Sequence, residues 1–102
     1  TTSLQNIHVK NSTFYGSNRV GGLVGYAFSP TISLSSVSGG TITGTSEVGG
    51  LIGEIAWENS IRGTIQESFA RTSITGSSNN NGGLIGYGVQ TDLTNSYFIG
   101  EI

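Results

Sequence analysis

Cysteine and methionine are absent from this 102-residue chain, which holds one His, one Trp and one Pro. Without thiols there can be no disulfide, no thiolate metal site and no cysteine nucleophile, although the absence does not assign a compartment. A single His also excludes the zincin arrangement, which needs two His one helical turn apart with a Glu between them. Helix formers are scarce too, with three Ala and one Lys against seventeen Gly, fifteen Ser and twelve Thr. Gly costs about 1 kcal/mol at each helical position and Thr about half of that, so strand and turn are expected throughout. No apolar run approaches the roughly 18 residues of a membrane-spanning helix. The opening Thr1-Thr2-Ser3 is neither an initiator nor a signal sequence, so the chain is expected to be a piece of something longer.

Charge is equally thin: six acids, four bases and a formal net charge of −2. The bases Lys10, Arg19, Arg62 and Arg71 are scattered and cannot supply the several phosphate contacts that drive nucleic-acid affinity, so nucleic acid is not an expected partner. What is present suffices for a core. Leu, Ile, Val and Phe number 27 of 102 residues, above the roughly one-fifth level below which charged chains stay unfolded.

The dominant feature is repetition. Val20-Gly21-Gly22-Leu23-Val24-Gly25 recurs as Val48-Gly49-Gly50-Leu51-Ile52-Gly53 and as Asn81-Gly82-Gly83-Leu84-Ile85-Gly86, at spacings of 28 and 33 residues. Upstream of each anchor lies another Gly (Gly16, Gly44, Gly76), and two residues before it Phe14, Ile42 or Ile74. Five residues earlier come Val9, Val37 and Phe69, and Leu93-Thr94-Asn95-Ser96-Tyr97 mirrors Ile65-Gln66-Glu67-Ser68-Phe69 at a spacing of 28. Residues 1–102 are therefore expected to form a single repeat domain with repeats over approximately 4–30, 31–63 and 64–92 and a partial one over 93–102.

Each repeat reads as three short strands, near Ile7 to Val9, Thr13 to Tyr15 and Val20 to Tyr26, separated by polar or Gly turns. None can bury an apolar face alone. Stacking the repeats in parallel, about 4.8 Å apart, ranks Val9, Val37, Phe69 and Tyr97 in one ladder. Phe14, Ile42 and Ile74 form a second, and Leu23, Leu51 and Leu84 a third. The expected fold is an all-β solenoid, like a parallel β-helix, of about three coils with one repeat per coil. A twisted β-sandwich is the rival and accounts less well for the fixed spacing of like residues. In the anchor, Leu and its neighbour Val24, Ile52 or Ile85 should alternate across the strand, leaving one of each pair to be buried away from the main core. The adjoining Gly residues fit either a bend or a second backbone layer pressed against the strand.

The Gly-Leu-hydrophobic-Gly anchor preceded by Val-Gly, together with the upstream Ile/Leu-x-x-Ser-Phe/Tyr segment, resembles the GLUG-motif repeat family. The resemblance follows the family rhythm most closely in the third copy, from Ile65 to Gly86 and on through Leu93 to Ile102. In the first two copies Lys10-Asn11-Ser12 and Ser38-Gly39-Gly40 stand in place of the short upstream link. It implies a non-catalytic repeat segment of a secreted or surface-anchored bacterial protein, such as an immunoglobulin A-specific metallopeptidase or a filamentous-haemagglutinin-like adhesin. No family catalytic residue carries over.

The residues offer little chemistry. His8 lies between Ile7 and Val9 in a strand and reads as an exposed polar residue. No Gly-x-Ser-x-Gly turn accompanies it, and no Lys follows any Gly-rich anchor as a phosphate loop would require. Glu54 and Glu58, as a carboxylate pair, read as solvated charge on an irregular connection, with Arg62 as a partner. The broken rank of Thr13-x-Tyr15, Thr41-x-Thr43 and Ser73-x-Thr75 argues against an ice-binding face. No catalysis, cofactor or metal is expected.

The connection from Glu54 to Gly63 departs from the repeat rhythm and holds the only Trp. Such loops carry recognition in many solenoids. Trp57 flanked by Glu58, Asn59 and Arg62 could stack on a sugar ring or a partner side chain, or pack on Ile55 and Ile61 as core. Tyr26 and Tyr87 make the same offer in the first and third copies. The expected partners are neighbouring segments of the parent chain, a host glycan or host surface protein, and other copies through end-to-end association. The function expected is a spacer, stalk or accessory recognition scaffold, the alternative being an adhesin module acting through its inter-repeat loops. A binding module would gather Trp57, Tyr26 or Tyr87 on one face, whereas a spacer would scatter them.

Overall fold

The computed structural model describes residues 3–56 and 61–102. The chain winds as a β-solenoid. The first coil contains β1 (Ser3–Gln5), β2 (His8–Tyr15), β3 (Asn18–Gly21) and β4 (Val24–Phe28). The second contains β5 (Thr31–Ser33), β6 (Ser36–Gly44), β7 (Ser46–Gly49) and β8 (Ile52–Ala56), and the third β9 (Gly63–Gln66), β10 (Phe69–Gly76), β11 (Asn81–Gly82) and β12 (Ile85–Gly88). A fourth begins with β13 (Thr91–Thr94) and β14 (Tyr97–Ile99). Equivalent strands stack into four sheets, β1-β5-β9-β13, β2-β6-β10-β14, β3-β7-β11 and β4-β8-β12, and every pairing among the described residues is parallel. The β-sandwich is thereby excluded.

Each coil has four strands where the sequence pattern suggests three. The first two of the expected strands run together as β2, because the intervening Asn11 is absorbed as a left-handed residue (φ 51°) inside the strand and matched in the next coil by Gly39 (φ 80°). The anchor is not one strand. It breaks at Gly22-Leu23 into β3 and β4, and the segment before each β2-type strand is a separate strand of its own sheet.

Inward side chains form ranks along the axis. Leu4, Ile32, Ile65 and Leu93 align, as do Phe14, Ile42 and Ile74, and Val24, Ile52 and Ile85. The anchor Leu residues stack through their backbones, with Leu23 N–H donating to Leu51 O and Leu51 N–H to Leu84 O, both at 2.9 Å. Covered on both sides, the second coil is the driest: Ile32, Leu51, Ile52 and Ile55 are each 0% exposed. Leu51 and Ile52 are both in the single core, so the expected split across two faces does not occur. The break between β7 and β8 turns the chain between these neighbours, and period-2 alternation does not carry across a corner.

One expected ladder is shifted by a residue. Val9 and Val37 align with Ala70 and Phe98, whereas Phe69 and Tyr97 fall in the outward rank with His8 and Ser36. The cause is a one-residue deletion in the third coil: between aligned pairs, Arg71-Thr72-Ser73 spans what Ser38-Gly39-Gly40-Thr41 spans in the second. Counting back five residues from Ile74 therefore lands on Phe69, one place past Ala70, the true equivalent of Val37.

The anchor glycines serve close packing. None has a positive φ; the left-handed glycines Gly39, Gly40 and Gly100 lie elsewhere. A Cβ on Gly53 would lie 2.5 Å from the Arg19 carbonyl carbon and 2.6 Å from Val20 N, and one on Gly86 would lie 2.6 Å from the Glu47 carbonyl carbon and 2.7 Å from Val48 N. The β4-β8-β12 sheet thus presses directly on the backbone of β3-β7, which is the second-layer alternative.

Two ranks, one at the corner before each β2-type strand and one near the start of each β3-type strand, hold non-glycine residues in the left-handed region, an uncommon conformation that costs roughly 1–2 kcal/mol each. Asn6, Leu34, Glu67 and Asn95 (φ 50–59°) form one rank, and Arg19, Glu47 and Asn80 (φ 52–63°) another. Inter-coil hydrogen bonds hold the first, with Leu34 N–H donating to Gln66 O at 3.3 Å and Glu67 N–H to Thr94 O at 3.1 Å. Beside this corner runs a serine ladder: Ile7 N–H donates to Ser35 Oγ, Ser35 N–H to Ser68 Oγ and Ser68 N–H to Ser96 Oγ, at 3.2, 3.2 and 3.4 Å. The Ser in the upstream Ile/Leu-x-x-Ser segment is therefore a structural polar rank. The second copy carries it too, as Ile32-Ser33-Leu34-Ser35, which the sequence pattern did not reveal.

Candidate functional site

Three of the expected contact residues, Tyr26, Tyr87 and Arg62, divide between two places. Tyr26 on β4, Glu54 on β8 and Tyr87 on β12 occupy one outward rank, with Glu54 between the two rings. Both rings are part-exposed, Tyr26 at 39% and Tyr87 at 44%. Glu54 belongs to a strand, not to the irregular connection, and its partner is Arg19 and not Arg62. Arg19 Nε donates to Glu54 Oε1 at 2.7 Å while its guanidinium carbon sits 4.4 Å from the centre of the Tyr26 ring. This hydrogen bond, and the Glu54 charge behind it, raise the Arg19 pKa above its ordinary value. Phe28, two residues on and so on the same side of β4, meets Tyr26 edge-on with centroids 4.9 Å apart. One face of Tyr26 is thus already covered by Arg19.

Arg62 lies at the other place, where it lines an open depression of about 430 Å³ with Ile85, Gly88, Gln90, Thr91 and Leu93. Its guanidinium is engaged within the chain. Nη2 and Nε donate to Asp92 at 2.8 and 3.1 Å, and Nη1 donates to Gln90 Oε1 at 2.8 Å. The same contact holds the Asp92 carboxyl below its ordinary value and lifts Arg62 above its own, in each case through the hydrogen bond first. Trp57, Glu58 and Asn59 lie outside the described residues, and with them the packing alternatives for the Trp ring. His8 is exposed on β2, its Nδ1 2.6 Å from Ser36 Oγ.

Sequence reasoning missed a third place. The outward residues of β2-β6-β10-β14 run across four coils, with ranks His8, Ser36, Phe69, Tyr97 and Lys10, Ser38, Arg71, Ile99. Phe69 and Tyr97 stack in parallel, 5.1 Å between centroids and 4° between planes. The signal was present in the Ser-Phe and Ser-Tyr pairs, but the one-residue shift assigned those rings to the core.

A family model described as the GLUG motif matches residues 16–43, from the end of β2 through the first anchor and most of β6. The match spans one full turn of the solenoid, starting and ending at equivalent points of successive coils, and falls in the first two copies. No curated protein and no solved structure matches the chain.

Proposed function

We propose that this chain is a non-catalytic spacer and accessory recognition scaffold within a larger secreted or surface-anchored bacterial protein. The GLUG match is consistent with a repeat segment of a larger protein. The observation that carries the scaffold reading is the unbroken stacking of like strands along one axis, which lets coils be added without altering those in place. Exchanging the segment, within its parent protein, for an unrelated β-solenoid of equal length tests it. Retained surface display and retained activity of the parent are expected; loss of either with display machinery intact overturns the spacer role.

The adhesin reading draws support from Tyr26 and Tyr87, which share one rank as a binding module requires. Against it stands the Arg19 guanidinium over Tyr26, which takes one ring face a sugar would use. Replacing both Tyr with Ser and measuring adherence of the parent protein separates the two readings: unchanged adherence leaves the scaffold reading alone.

A further inference from the structure

The four bases of this chain are divided in a way that their sequence positions do not suggest. Arg19 is paired with Glu54 and Arg62 with Asp92. Lys10 and Arg71 have no acidic partner among the described residues, and the stacking places them in the same rank, on either side of Ser38. Two strand spacings separate their backbones, roughly 9.6 Å. Within its four strands the face they share carries no acid. The strands β2, β6, β10 and β14 contain Lys10, Arg71 and His8 and no Asp or Glu, although acids outnumber bases in the whole chain. Glu67 borders the face in the corner before β10, and Glu101, whose carbonyl accepts the Ile74 N–H at 2.8 Å, follows β14 in register with Ser73, one coil beyond Arg71 and outside the stretch from Lys10 to Arg71.

The remainder of the face suits a polar chain laid across the strands. Next to the cationic rank on one side stand Thr13, Thr41 and Ser73 in register, offering hydroxyls. On the other side the stacked rings of Phe69 and Tyr97 form an apolar ridge, with Tyr97 47% exposed. Parallel stacking presents equivalent residues of successive coils at equal intervals to an extended ligand.

We infer that this face binds a linear acidic polysaccharide with one carboxylate per disaccharide, lying along the solenoid axis. Lys10 and Arg71 take successive carboxylates, because two strand spacings correspond to about the length of two linked pyranose rings. Ser38 and the hydroxyl rank meet the intervening sugar, and the aromatic ridge receives its apolar edge. Two cations are too few for nucleic acid, whose charges are much denser, but they match a ligand that carries one charge in every two rings. This goes beyond the scaffold role and does not depend on it.

Titrating isotope-labelled chain with hyaluronan oligosaccharides, which carry carboxylates at this interval and no sulfate, tests the inference by amide chemical-shift mapping. Shifts confined to β2, β6, β10 and β14 are expected, together with weakening as salt rises. Neutral dextran oligosaccharides of equal length should leave these amides unmoved. The paired substitution Lys10→Gln and Arg71→Gln, on exposed side chains that leave the core alone, should weaken binding at least tenfold while preserving the unbound spectrum. Lys10→Arg should bind as the parent does. Equal binding of dextran, shifts centred on another sheet, or binding unaffected by the paired substitution would each overturn it. So would a polyglutamate peptide that binds this face when hyaluronan does not, since that would identify an acidic protein as the partner.

Discussion

Ser68 sits directly beneath Ser35 in the solenoid, its Oγ accepting the Ser35 N–H at 3.2 Å while donating to Gln66 O at 2.9 Å. Both serines are 1% exposed, so neither backbone group can turn to water. Ser68→Ala should leave the Ser35 amide unpartnered and cost about 1–3 kcal/mol in a denaturant titration. Ser96→Ala, in a half-buried rank member with the same bonding pattern, should cost less.

Gly53 is where two backbone layers meet. Gly53→Ala would drive a methyl group into the Arg19 and Val20 backbone, which cannot swing aside as a flexible side chain could. Destabilisation of about 1–3 kcal/mol or more is expected. Gly88→Ala is the control: its nearest neighbour would be Ile85 Cγ2 at 3.2 Å on a part-exposed side chain, and thermal melting should be within about 0.5 kcal/mol of the parent.

Asn81 occupies the rank that Val20 and Val48 fill in the coils before it. Its Oδ1 is buried without a hydrogen-bond partner, although its Nδ2 donates to Ser78 O. Gly16 and Gly44 lie against Val20 and Val48, and Gly76 lies against Asn81 in the same way, so the site has the shape for Val. Asn81→Val should raise stability by about 0.5–2 kcal/mol, read from the denaturation midpoint at unchanged m-value.

The Arg62–Asp92 pair makes stability depend on acid pH. Arg62 stays charged throughout, and it holds the Asp92 carboxyl below its ordinary 3.8. A folded-state value lower than the unfolded one gives stability that is present above the ordinary carboxylate range and lost as pH falls through the folded value. Asp92→Asn should flatten that part of the profile between about pH 5 and pH 2, a small effect because both side chains are more than half exposed. An unchanged slope in denaturation midpoints across this range would count against the pairing.

β3 and β4 pair on one side only, with β7 and β8, and β11 and β12 likewise pair only with these central strands. Their outer backbone groups can template further strands. The 102-residue chain by itself should therefore associate with increasing concentration in sedimentation equilibrium. A strict monomer whose end strands show ordinary amide-exchange protection would contradict this.

Repetition is a one-dimensional property, and it made the solenoid, its parallel stacking and the Leu23-Leu51-Leu84 rank legible in the sequence, because like residues at fixed intervals can be buried together only by stacking. The identity of the inward ladder at Val37 was not legible. A single residue absorbed by the left-handed Gly39 conformation, and missing beside Thr72, changes the pairing from Phe69 to Ala70 and reverses which ring faces water. The anchor glycines likewise left bend and close approach equally open until the distance between two sheets decided it. The placement of charge was the least legible of all: Glu54 pairs with Arg19 from 35 residues away, and the cations Lys10 and Arg71 share one rank from positions 61 residues apart. Sequence spacing records which residues repeat, whereas corners and bulges, which consume residues without advancing the ladder, set which side chains finally share a face.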